Sequence, residues 1–153
     1  RRLDEGGVVA AGLARPPQSP YDILVIDAGS SDGVAAGHMM FMPEGPLVGL
    51  VTDVNVSSAK VKLLSAAGEK TAALLERHGV PVTLEGAGGG NFRVTVSRET
   101  EVEVGDRILS ADISGRLVAV VGGGTMAPTD SFKEILAASP ANIFNIHFVL
   151  VRP

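Results

Sequence analysis

The sequence predicts an all-β protein built as a sandwich or barrel, and three observations point there. Short apolar runs rich in Val, Ile and Leu are separated at close intervals by Gly, Pro, Asn and Ser. Several of these runs alternate apolar and polar residues with a period of two, the signature of a half-buried strand. A pattern of strand and turn residues in the first half returns about 70 residues later, as two copies of one small β unit would give.

Taken in order, the first apolar run is Val8 to Leu13, which Arg15-Pro16-Pro17 breaks into extended chain. Ile23 to Ile26 is a short strand between the Pro20 turn and the glycine- and serine-rich stretch Ala28 to Gly33. Strands are then expected at Met39 to Met42, Leu47 to Val54, Val61 to Leu64 and Phe92 to Val96. Val102 and Val104 continue the alternation, which places Glu101 and Glu103 on one solvated strand face. Ile108-Leu109, Leu117 to Val121 and Phe148 to Val151 complete the set. The stretch Ala66 to His78, rich in Ala, Glu, Lys and Leu, has helical propensity and is open between helix and strand.

The repeat sets Val34-Ala35-Ala36-Gly37-His38, residues 45–51 and residues 60–64 against Val102-Glu103-Val104-Gly105-Asp106, residues 115–121 and residues 133–136. Each Val-x-x-Gly reads as a turn feeding a strand, with the glycine free to take positive φ. Two lobes of this size are each marginal alone, so they must pack together as a rigid bilobed body. The boundary is expected near Gly86 to Gly90, giving an entry segment over 1–17, a first lobe over 18–91 and a second over 92–153. The entry strand is free to pair with either lobe.

Composition narrows the function. The 153 residues carry a net charge of −4, no tryptophan and one tyrosine, and beyond Arg1-Arg2 their basic residues are scattered singly, with no basic cluster. Phosphate neutralisation and base stacking, which nucleic-acid binding needs, are therefore not provided. Zero cysteines exclude disulfides and thiolate metal sites. Gly86 to Gly90 has the glycine density of a phosphate loop, yet Asn91 stands where a dinucleotide fingerprint needs glycine and a strand follows where it needs a helix. Gly122-Gly123-Gly124-Thr125 lacks the lysine of a nucleotide-binding P-loop. His38, His78 and His147 show no metal-ligand spacing, so no metal or cofactor is expected. Ser30, Ser110, Ser114 and Ser131 supply hydroxyls for a hydrolase on a double β-barrel, but none lies in a nucleophile motif, and no catalytic residue is assigned. Large apolar side chains are the better functional candidates. Met39-Met40-Phe41-Met42 is either a strand buried on both sides or an adaptable partner surface, and Phe144 raises the same choice.

One resemblance orders these features. The lead-in Arg15-Pro16-Pro17, then Ser19-Pro20-Tyr21-Asp22, the strand Val25-Ile26-Asp27 and the turn Gly29-Ser30-Ser31-Asp32-Gly33-Val34 resemble the opening of the β region of the MreC family of bacterial rod shape-determining proteins. Residues 48–54, 58–65, 84–91, 104–108 and 132–136 continue the similarity in family order over nearly the whole chain. His38 departs from the acidic residue usual after the first Val-x-x-Gly turn, whereas Asp106 keeps it in the second. The stretch 140–153, with Phe144, His147 and Phe148, is a looser match.

The resemblance implies two six-stranded β-barrels in fixed relation, with Thr71 to Arg77 as a strand. It further implies a non-catalytic scaffold of the cell-elongation machinery that organises peptidoglycan synthesis and cell shape. The implied partners are a class-B penicillin-binding transpeptidase, the membrane protein MreD and other copies of MreC. The implied location is the periplasmic or extracytoplasmic face of the inner membrane. With no initiator methionine and Arg1-Arg2 first, the chain reads as a fragment. The family's transmembrane helix and coiled coil are expected ahead of it, with Arg1 to Glu5 as the coiled coil's last residues.

Overall fold

Period-two burial governs the computed structural model, which describes residues 7–14, 22–112, 115–126, 131–141 and 147–153. Strands β1 to β12 are Val8–Ala14, Ile23–Ile26, Met39–Phe41, Leu47–Val54, Ala59–Leu63, Lys70–Leu75, Val80–Gly88, Asn91–Ser97, Arg107–Ser110, Leu117–Met126, Phe132–Ala138 and Phe148–Arg152. On β8 the alternation is complete: Phe92, Val94 and Val96 are buried while the residues between them face solvent. Ser30–Asp32 and Arg77–Gly79 are 3₁₀ turns.

The strands close into two six-stranded antiparallel barrels, in the orders β1-β12-β3-β4-β5-β2 and β10-β11-β8-β7-β6-β9. Closure pairs the lateral backbone groups that an open sheet leaves exposed, so neither barrel presents a free strand edge among the described residues. The entry strand belongs to the first barrel, pairing with β12 from Val8 opposite Val151 and with β2 from Gly12 opposite Ile26.

The expected lobe boundary is displaced. β6 and β7, counted with the first lobe over 18–91, stand in the second barrel, and β12, counted with the second over 92–153, closes the first. The second barrel is thus one uninterrupted stretch, β6 to β11, inserted between β5 and β12. Gly86 to Gly90 is no linker. It ends β7 and makes the β7–β8 hairpin, where Gly88 pairs with Asn91. The reason lies in local pattern: β7 carries Pro81, Gly86 and Gly88, which hid it as a strand, yet it pairs with β6 from Leu75–Val80 to Lys70–Glu85. Ala66 to His78 is likewise resolved as a linker, β6 and a 3₁₀ turn, because Ala73 and Leu75 fill the second barrel's core.

The repeat is exact in backbone bonding. Gly37 N–H donates to the Val51 carbonyl and Val51 N–H to the His38 carbonyl, both at 2.8 Å; Gly105, Val121 and Asp106 repeat the pair at the same distances. Gly37 and Gly105 take φ of +90° and +94°, a conformation costly to any residue with a Cβ. Val102 and Val104, expected on a strand, lie in this loop.

Each barrel has its own apolar core. Leu24, Ile26, Met40, Val61, Leu63 and Val149 are fully buried in the first, and Leu84, Val94, Ile108 and Val118 in the second. Deleting residues 148–153 removes β12 and bares the facing edges of β1 and β3. The expected outcome is a fragment that self-associates in sedimentation and unfolds in urea without the cooperative transition of the full chain.

Candidate functional site

The run Met39-Met40-Phe41-Met42 lies where the two barrels meet. Met40 is fully buried in the first barrel's core, and Met42 packs on that core half-buried. Phe41 faces the other way, 4% exposed, and joins Leu47 and Leu64 in the core cluster of the second barrel, with Met39 and Leu150 packed beside them. Both faces of the strand are therefore covered, and the Arg116 guanidinium lies 5.0 Å from the Phe41 ring centroid. As a partner surface this run is corrected: Met40 and Phe41 offer nothing to an outside molecule, and the adaptable methionines serve the seam. Phe144 lies outside the described residues.

A polar clasp lies alongside the apolar seam. Gly88, Gly89 and Gly90 all have positive φ, which turns their successive N–H groups toward the first barrel. Gly88 N–H donates to the Ser65 carbonyl at 2.7 Å, Gly90 N–H to Ser65 Oγ at 3.1 Å and Gly89 N–H to Asp22 Oδ1 at 3.1 Å. The glycine run thus does form an amide cradle, and the anion it holds is a carboxylate of the same chain. Ser65 is 3% exposed, so truncating it strands a buried amide. Ser65→Ala is expected to cost about 1–3 kcal/mol in urea unfolding.

A second polar cluster ties the end of β6 to the β8–β9 loop. Arg77 Nε donates to Asp106 Oδ2 at 2.8 Å and Nη2 to Oδ1 at 2.9 Å, a two-pronged grip. Nη2 also meets Glu103 Oε2 at 2.9 Å, and Nη1 lies 3.6 Å from Glu101. His78 Nε2 lies 3.1 Å from the same Glu101 oxygen. Glu101 and Glu103 are thus not a bare strand face but counter-charges to one arginine. The hydrogen bond from Arg77 holds Asp106 below the usual carboxylate range against an opposing burial cost. His78, through its hydrogen bond first and its charge second, lowers Glu101, and Asp106 raises Arg77 above the ordinary guanidinium value.

The chemistry sought among serines and histidines does not assemble among the described residues. Ser110 Oγ donates to Asp112 and accepts from the Arg116 N–H. His38 Nδ1 accepts from the Ala35 N–H, and His78 meets Glu101. None of these histidine contacts is a serine hydroxyl, and Ser114 lies outside the described residues. No three His, Asp or Glu side chains converge as metal ligands there.

What sequence reading missed is on the outside of the barrels. Phe132 and Leu136 of β11 are 58% and 43% exposed, because Ile135 and Ala137 take the inward phase. That phase was the available signal, blurred by apolar residues at both parities. Val104 on its turn and Phe148 on β12 are also exposed. The outer face of β6, β7, β8 and β11 is concave and polar, a groove of about 510 Å³ lined by residues including Lys70, Thr83, Glu85, Arg93, Thr95 and Glu134.

The sign of the acid response follows from Asp106. A carboxyl lowered in the folded state contributes stability that is present above its unfolded pKa, about 4, and is lost as pH falls through the folded value. Arg77→Gln is expected to flatten that acid limb in urea midpoints measured from pH 6 to pH 2.

Comparison with known proteins agrees with this architecture. The family model described as rod shape-determining protein MreC, barrel core, matches residues 13–153. MreC from Pseudomonas aeruginosa is similar in structure at a TM-score of 0.86 and 22% identity, over 95% of this chain and 97% of that one. MreC from Listeria monocytogenes gives 0.79 and 20% over 95% and 74%. A Helicobacter pylori MreC, solved in complex with the penicillin-binding protein PBP2, gives 0.66 and 9% over 95% and 96%. No curated protein matches by sequence. On the family match across nearly the whole chain and the paired closed barrels, this chain belongs to the MreC family of rod shape-determining proteins.

Proposed function

We propose that this chain is a non-catalytic scaffold that organises peptidoglycan synthesis in elongating cells by binding other proteins. The observation that carries the reading is the family match over residues 13–153 on a body of two closed barrels locked in fixed relation. Fixed spacing of this kind lets a scaffold hold its partners at set distances. A penicillin-binding transpeptidase is the first partner, supported by the Helicobacter pylori complex of a structurally similar MreC. MreD and further copies of the same chain complete the set implied by family membership.

In this reading the body works on the extracytoplasmic side of the inner membrane, anchored through its parent protein. A similar structure is that of a major periplasmic domain of MreC. Mechanistically, a captured partner domain has its conformational population shifted by differential contact with the scaffold. With both barrels closed, capture falls to grooves and exposed faces rather than strand edges. The side chains offered there are Phe132, Leu136, Val104 and Phe148, not Met39 to Phe41.

Sedimentation over a wide concentration range, alone and with the periplasmic domain of a class-B transpeptidase, tests the reading. A mixed species is expected, and an inert monomer would move the transpeptidase contact to another part of the parent protein. A fluorophosphonate probe is expected to label no serine; stoichiometric labelling would revive the hydrolase.

A further inference from the structure

Where the two barrels meet, the seam opens to solvent as a groove of about 780 Å³. One wall is the β3–β4 turn of the first barrel, with Glu44, Gly45 and Pro46. The other is Arg107 of β9 with Gly115, Arg116 and Leu117 at the start of β10. Pro46 and Leu117 give the groove a half-buried apolar lining, and the two arginines give it charge. A space of this size suits a short stretch of extended chain.

Arg116 is held in place before any ligand arrives. Its N–H donates to Ser110 Oγ at 2.9 Å, its carbonyl accepts from the Ser110 N–H at 2.7 Å, and Ser110 is buried. Its guanidinium lies 5.0 Å from the centroid of the buried Phe41 ring, an attraction carried by its charge. Among the described residues no ion pair holds this guanidinium. Arg107, on the same wall, meets Glu76 at 3.6 Å in a half-exposed pair of the kind that contributes little. The other carboxylates nearby are Asp112, which accepts from Ser110 Oγ, and Glu44 on the facing wall.

Two guanidinium groups against one carboxylate leave these walls positive in a chain whose net charge is −4. A guanidinium fork matches a carboxylate or a phosphate with two parallel hydrogen bonds. Two arginines fall well short of the cluster of about four to eight basic residues that holds a protein to an anionic membrane. A recess with an apolar lining suits a chain segment instead, its side-chain stems lying on Pro46 and Leu117.

We propose that this groove between the barrels docks an extended acidic segment of a partner protein, with Arg116 taking a carboxylate and Arg107 adding to the field. The proposal rests on the scaffold reading and deepens it by naming the chemistry of one contact. Glu44 sets the polarity, because its like charge keeps the acidic side chains on the arginine wall. The walls belong to different barrels, so an occupied groove also braces the seam from outside.

Titration of the ¹⁵N-labelled whole chain with a capped tetraglutamate peptide, followed by NMR at low salt, tests this. Saturable shifts are expected at the Gly45, Gly115 and Leu117 amides and at the Arg116 Nε–H. Arg116→Gln is expected to weaken the apparent affinity roughly 10- to 150-fold, the factor for a hydrogen bond to a charged group. Glu44→Gln is expected to strengthen it roughly 2- to 5-fold by removing the like charge, a gain that a misfolded chain does not give. No saturable shift at these residues, shifts centred on the groove of Lys70 and Arg93, or equal affinity for a tetralysine peptide overturns the proposal. Binding of phosphatidylglycerol vesicles that Arg116→Gln abolishes, with the groove unshifted by tetraglutamate, overturns it in favour of a membrane surface. A mixed species with the transpeptidase alongside failed tetraglutamate binding overturns the groove and leaves the scaffold reading standing.

Discussion

On β3 no side chain is spare. Met40 fills one barrel and Phe41 the other, so a three-residue strand is a structural member of both cores at once. That double burial makes the barrels one body: moving them apart uncovers Phe41, Leu47 and Leu64 together, and each such side chain contributes about 1.5–3 kcal/mol by staying out of water. The clasp of Ser65 and Asp22 on the glycine hairpin adds direction to an otherwise non-directional contact. Apolar burial supplies the strength here, and the amide cradle sets the register of one barrel on the other.

Sequence made the strands legible where an apolar or alternating run stood between clear turn residues. Ile23 to Ile26 and Leu47 to Val54 have the observed bounds, and Phe92 to Val96 falls one residue short at each end of β8. The repeat was visible because glycine at positive φ leaves few alternatives at 37 and 105. β7 was not visible, since Pro81 and its glycines speak against a strand locally, and only pairing with β6 and β8 overrides them. Which strand closes which barrel is a long-range choice that local pattern does not encode. Period two showed that Met39 to Met42 has two faces, but not that the second face was already taken by the other half of the chain.

The polar residues divide in the same way. Glycines that looked like a phosphate loop bind a carboxylate supplied from within, and acidic residues that looked like solvated strand surface surround one arginine. Both clusters spend their charge on fixing geometry. A chain whose hydrogen-bonding groups are used in this way is suited to hold partners at set distances. Exposed apolar side chains such as Phe132 and Phe148 then stand as the surface least explained by the fold itself.

The pairing of Val8 with Val151 brings both ends of the body out at one corner of the first barrel. A pull applied between those ends loads β1 and β12 like a zipper, bond by bond, rather than in shear across the whole ladder. The last strand is then the first to peel, while the second barrel, being an inserted loop in the chain, carries no tension until the first has opened. Mechanically the molecule is a pendant hung from a single hinge point, with its more protected half farthest along the chain from the load.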